Sequence, residues 1–227
     1  MRRLLLPVVV LLTAVGTAAG GANPHDPQKR FTTADQAWAK RASIVRDDLP
    51  GGGWKATKAS NDSATCRSFN PDESKLIETG ERLSPDYSRA GGLVASASSV
   101  YRSASDAQAS WKLETKPAIL ACFDEGFKQA SASGMRVTIL ARGRLAFPQL
   151  APRTTAFRVL VRYDVQRFRI PAVLDVVLLG SGRVNAAARP AVAGRAAPAT
   201  PGGPRASARG TARRAPVAVT QPLSPRR

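Results

Sequence analysis

Residues 154–179 read TTAFRVLVRYDVQRFRIPAVLDVVLL. From Thr154 to Asp164 the stretch alternates: Phe157, Val159, Val161 and Tyr163 fall on one side, and Arg158, Leu160 and Arg162 on the other. A period of two belongs to a strand with one buried face. Val165, Gln166 and Arg167 break the pattern, which predicts a hairpin. Phe168 to Leu179 resumes as a β-type run, nearly continuous in apolar residues from Val173. Pro171 predicts an edge position or a strand start for that run. Asp175 is the acid within it. Facing inward, it needs Arg158 or Arg162 as a partner; facing outward, it marks an exposed edge.

Further strands are expected at Met135 to Ala141, at Trp54 to Lys58 and at Gly92 to Tyr101. The last places Leu93, Ala95, Ala97, Ser99 and Tyr101 on one face. A helix is expected from about Thr33 to Asp48. Thr33 and Gln36 read as its capping box, and Ala34, Trp38, Ala42, Val45 and Leu49 as its apolar stripe. Pro50 and Gly51 to Gly53 end it. Asn70-Pro71-Asp72-Glu73 reads as the start of a short second helix with Leu76 and Ile77 inside and Gly80 closing it. A third helical stretch starts at Ser105 to Lys112, reopens at Pro117 and carries Ile119, Leu120, Phe123 and Phe127. The order predicts an α+β fold: a mainly antiparallel sheet with helices on one face.

Both ends differ from this middle. Met1-Arg2-Arg3, an apolar run from Leu4 to Val15 and small residues to Ala22 have the order of a secretory signal peptide. The run is too short to span a bilayer, which takes about 20 residues. Residues 1–22 are therefore read as a signal peptide, 23–32 as a linker, 33–180 as the domain and 181–227 as a tail. From Ser181 to Arg227 there are nine arginines, seven prolines, no lysine and no acid. Such a composition predicts disorder. The tail reads as a solvated linker, as a polyanion-binding segment centred on Arg205, Arg209, Arg213 and Arg214, or as a GC-rich gene translated out of frame.

The net charge is +18 from 34 basic and 16 acidic residues, and half of it lies in that tail. Export places Cys66 and Cys122, the two cysteines of the chain, in an oxidising compartment that favours their joining. Two cysteines make no four-cysteine metal site, and His25 is the single histidine. No Gly-x-Ser-x-Gly is present, and Gly51 to Gly53 lack a following Gly-Lys-Ser/Thr. The adjacent acids Asp47-Asp48 and Asp72-Glu73 read as helix-end charges. No catalytic residue, metal site or cofactor is expected. Trp38, Trp54, Trp111, Tyr101 and Asp175 are the residues that a ligand pocket would use, although core packing is the better account of the tryptophans.

Asp48-Leu49-Pro50 ahead of Gly53-Trp54, then Cys66, Leu76 to Gly80, Val94 to Tyr101, Cys122 and Asp175 to Gly180 follow one another in an order seen elsewhere. It resembles small secreted proteins of actinobacteria, among them the extracellular sensor domain of the mycobacterial kinase PknH and the LpqN-type lipoproteins. The resemblance covers about Thr33 to Gly180. It implies a sensor-like domain that binds a ligand or protein at the cell envelope without catalysis. The expected protein is secreted or held at the cell surface, monomeric, and without a membrane span once the signal is removed. The alternative is a polyanion-binding surface protein acting through the tail arginines, with nucleic acid an unlikely target because no aromatic residue interrupts them.

Overall fold

The hairpin at residues 154–179 forms as its alternation predicts. Strands β7 (Arg153–Val165) and β8 (Phe168–Ser181) pair antiparallel from Arg153 opposite Gly180 to Val165 opposite Phe168. Phe157, Val159, Val161 and Tyr163 are fully buried. The computed structural model describes residues 23–59, 66–132, 136–165, 168–194 and 197–198. The signal-peptide reading and the residues of the tail beyond 198 lie outside the described residues.

The remaining elements are β1 (Gln28–Lys29), α1 (Thr33–Ala42), β2 (Lys55–Thr57), β3 (Ile77–Leu83), β4 (Asp86–Arg89), β5 (Gly92–Tyr101), α2 (Ala104–Glu114), α3 (Ile119–Ala132), β6 (Arg136–Arg144), β9 (Val184–Ala193) and β10 (Ala197–Pro198). They build one ten-stranded sheet, mainly antiparallel, ordered β1-β3-β5-β9-β8-β7-β6. β4 continues the β3 side of β5, β2 adds to β4, and β10 pairs with β8. The β1–β3 pair is parallel.

Two expectations about the hairpin's surroundings change. The ordered domain does not end at Gly180. β9 lies between β5 and β8 in the middle of the sheet and pairs with both. Its alanines looked like tail because they carry no large apolar periodicity. A strand sandwiched between layers needs small side chains where helices approach, and Ala191 and Asn185 are buried there. Pro171 is not on an edge strand either. Gly194 donates to its carbonyl at 2.6 Å. Pro171 lies one residue beyond the last β8–β9 pair, Ala172 opposite Ala193, so its missing N–H falls outside that ladder.

The helices cover both faces, not one. On the first face, Ser110 of α2 bonds to Tyr101 at 2.8 Å, and Asn185 donates to the carbonyl of Ala107. Phe123 and Phe127 of α3 pack there on Val159, Leu174 and Leu178. On the opposite face, Ser98 of β5 donates to the carbonyl of Ala39 in α1 and Ser96 accepts from Ile44 N–H. α1 stops at Ala42, and Asp35, Ala39 and Ser43 face the sheet rather than the expected stripe. Its cap is Thr32, which accepts from Asp35 N–H at 3.1 Å. Gly80 makes this packing possible, since a Cβ there would overlap the carbonyl of Asp35.

The helix expected from Asn70 is absent. Asp72 accepts instead from the N–H and hydroxyl of Ser74, so the capping chemistry builds a turn. Ile77 to Gly80 then enter β3 beside β5. Cys66 and Cys122 are joined, with 5.3 Å between their Cα atoms. The bridge fixes the segment before β3 to α3, where Glu125 also accepts from the N–H groups of Arg67 and Ser68.

Candidate functional site

The residues proposed for a common pocket are spread over the molecule. Trp38 lies on α1, 39% exposed, with the Arg183 guanidinium 5.7 Å from its ring. Trp54 precedes β2, donates to the Pro50 carbonyl and stacks beneath Arg89. Trp111 packs from α2 against the core on the opposite side of the sheet from Trp38. Tyr101 is buried beneath α2. Asp175 accepts two hydrogen bonds from Arg158, at 2.7 and 2.6 Å, on the α1 side of the sheet. Of the two partners considered for Asp175, Arg158 is the one engaged, and Arg162 pairs with Asp164. The arginines at 205, 209, 213 and 214 lie outside the described residues.

The Arg158–Asp175 pair borders a feature that the sequence did not announce. Strand register places Ala141 opposite Leu160, Leu160 opposite Val173, and Val173 opposite Val192. Cross-strand partners point to one face, so these four side chains form an apolar row across β6, β7, β8 and β9. The row is on the face of α1, but among the described residues α1 packs mainly on β3 and β5 and touches β9. Val192 is 58% exposed, Ala141 is exposed, and Leu160 and Val173 are half-buried. Arg158 with Asp175 flanks the row on one side. Arg162 flanks it on the other, joined through Asp164 to Arg169 at 3.7 Å.

A second unusual feature lies on the other face, where a glutamate of β3, one of the segment before it and one of α2 come together: Tyr101, opposite Glu78 in the β3–β5 pair, bonds to Ser110, one turn before Glu114 on α2. Glu78 of β3 is 3% exposed. Burial pushes its carboxyl up to about 7, with the charges of Glu81 and Glu73 adding to the shift against opposition from Ser99 and Lys29. Glu114, at the end of α2, keeps part of its stem in solvent, yet its carboxyl sits deep enough that burial, with the charge of Glu73, pushes it to about 8. Glu73 precedes β3; burial raises its pKa, and its Oε1 is buried without a hydrogen-bond partner. The Ser110 hydroxyl bonds to Tyr101 at 2.8 Å and opposes the upward shift at Glu73 and Glu114.

Among the described residues no group of three or more histidines, cysteines or acids is placed to hold a metal ion. No helix among them is long and apolar enough to cross a membrane. No protein-family model matches the chain and no curated protein is similar to it.

Proposed function

We propose that the chain is a secreted, non-enzymatic binding domain that holds a partner protein at the cell envelope through the row Ala141–Leu160–Val173–Val192. The observation that carries this reading is a continuous apolar row, exposed at its ends Ala141 and Val192 and half-buried between them, on the part of the sheet that no described helix covers. Contiguous apolar surface rimmed by polar groups marks interaction sites. The rim sets the partner's chemistry. Arg136, Arg158, Arg162 and Arg169 share this face with Asp164 and Asp175. The excess of positive charge fits an apolar segment flanked by acidic residues. Export is supported by the order of residues 1–22 and by the disulfide, which persists in oxidising compartments. The sensor-like reading accords with the resemblance to the envelope proteins named above.

Binding of the purified exported chain to isolated cell envelopes tests the proposal. The paired variant Ala141→Asp/Val192→Asp alters only exposed ends of the row. It is expected to bind at least tenfold more weakly with its thermal midpoint unchanged, while a chain ending at Pro198 binds as the full chain does. The reverse pattern, with binding lost on removal of residues 199–227 and a steep salt dependence, establishes the polyanion alternative instead. Turnover of any substrate in a metabolite and lipid panel refutes the non-enzymatic reading.

A further inference from the structure

The three glutamates sit where the N-terminal segment is fastened to the domain; Glu78 is buried, and Glu73 has a buried, unpartnered Oε1. Gln28 N–H donates to the Leu76 carbonyl, Arg30 N–H to Glu78 and Thr32 N–H to Thr79, so residues 28–32 line the edge of β3. Glu73 N–H donates to the His25 carbonyl at 2.7 Å. Asn23 and Asn70 bond through their side chains. The segment before β3 is thus held on one side by the N-terminal residues and on the other by α2. Only its start is covalently tied, through Cys66 to Cys122 of α3.

Carboxyls in this position stay in place only while neutral. An ionised carboxylate buried without a cation costs several kcal/mol, so such a group keeps its proton. The charged groups that face the cluster do not relieve it. From the N-terminal segment come Asp26 and Lys29, and the Lys29 ammonium is taken by Glu81 at 2.7 Å. β3 contributes Glu81, β5 contributes the Tyr101 hydroxyl, and α2 contributes Glu114 itself. His25 pairs with Asp72 at 3.7 Å at the rim, and Arg102 of the β5–α2 turn is directed to Asp106 at 3.5 Å.

We propose that Glu73, Glu78 and Glu114 form a pH-operated latch. Protonated, they let the segment 66–76 and the N-terminal residues 23–32 close over β3 and α2. Ionised, they repel one another and drive that segment off, leaving the β3 edge open. The disulfide makes the opening a hinged one, because Cys66 stays fixed to α3. The device is independent of the partner-binding row, which lies on the opposite face.

Amide hydrogen exchange on the full chain, expressed as protection relative to the intrinsic rate at each pH, tests the latch. Between pH 5.5 and pH 8.5, protection of the amides of residues 28, 30, 73 and 76 is expected to fall at least tenfold. Amides of Phe157 to Val161 and Leu174 to Leu178, remote from the latch, are expected to keep theirs. In the Glu78→Gln/Glu114→Gln variant the same latch amides should stay protected at pH 8.5. Unchanged latch protection in the wild type, or equal opening in the variant, overturns the proposal. A carbon-13 titration of the wild-type glutamate carboxyls needs no variant; midpoints all below pH 5.5 would also overturn it.

Discussion

Arg183 donates from Nη2 to Oδ2 of Asp35 at 2.6 Å, joining residues 148 apart in sequence. The same guanidinium donates to the Tyr101 carbonyl at 2.7 Å and lies over Trp38. One side chain from the β8–β9 turn therefore fastens the first helix, the end of β5 and the start of β9. This contact places the composition change after Gly180 inside the fold.

Replacing Arg183 with Met leaves the buried Asp35 carboxylate without its cation. Hydrogen bonds to charged groups contribute about 1.5–3 kcal/mol. A loss of that order in urea unfolding is expected. The Arg183→Met/Asp35→Asn double variant should lose less than the sum of the single changes, because the partners share one interaction. Strict additivity would show that the pair carries no coupling.

Stability should peak on the mildly acidic side of neutrality. Burial pushes the Asp35 carboxyl up, but bonds from Thr79 and Arg183 and the charge of Arg183 outweigh it and hold the group below its usual value. Its contribution is present above the ordinary aspartate range and is lost as pH falls through the lowered value. Glu78 and Glu114 act in the opposite sense. Their contribution is full below the unfolded value of 4.5 and is lost as pH rises through about 7 and about 8. For Glu78 alone the loss is roughly 3 kcal/mol, at about 1.4 kcal/mol for each pH unit separating its folded and unfolded values. Chemical unfolding from pH 4.5 to pH 9 should show this decline, and Glu78→Gln should flatten it. A rise in stability over that interval contradicts the assignment.

Reducing the Cys66–Cys122 bridge should cost about 4 kcal/mol, the loop-closure value for a ring of this size. Intact-mass measurement with a thiol label before and after reduction establishes the bridge in the exported protein. Thermal midpoints of the two forms measure its effect. Two readily labelled thiols in unreduced material would refute it.

Tyr163→Phe is expected to stabilise the protein. Tyr163 is fully buried, and its hydroxyl has no hydrogen-bond partner in the structure. Burial alone raises its pKa to about 12. Removing an unsatisfied buried hydroxyl recovers a desolvation cost of about 1–3 kcal/mol. A loss of stability instead would reveal a bound water or ligand at this hydroxyl.

Sequence periodicity was most informative where one face of a strand is buried and the other is not. The alternation from Phe157 to Tyr163 located β7, and the run from Gly92 to Tyr101 matched β5 at both ends. It failed where local chemistry has two uses. Asn70-Pro71-Asp72-Glu73 suits a helix start and a turn equally, and the disulfide with the β1 pairing selects the turn. α1 was displaced by one position because Asp35 and Ser43, which face the sheet, look like solvent residues until Arg183 and Ser98 are brought to them. The apolar row was hidden because each member belongs to a different strand and only register aligns them. The carboxyl cluster was equally hidden: Glu73, Glu78 and Glu114 share no spacing, and their meeting depends on how α2 lies on β3 and β5.

The position of β9 has a temporal consequence. Synthesis delivers β1 to β8 first, yet β5 and β8 are neighbours only through β9. Until Ala193 has emerged, the sheet consists of two leaves with unpaired edges facing each other. Contacts this distant in sequence form slowly. The strand that joins the two leaves, β9, is the last long one to arrive.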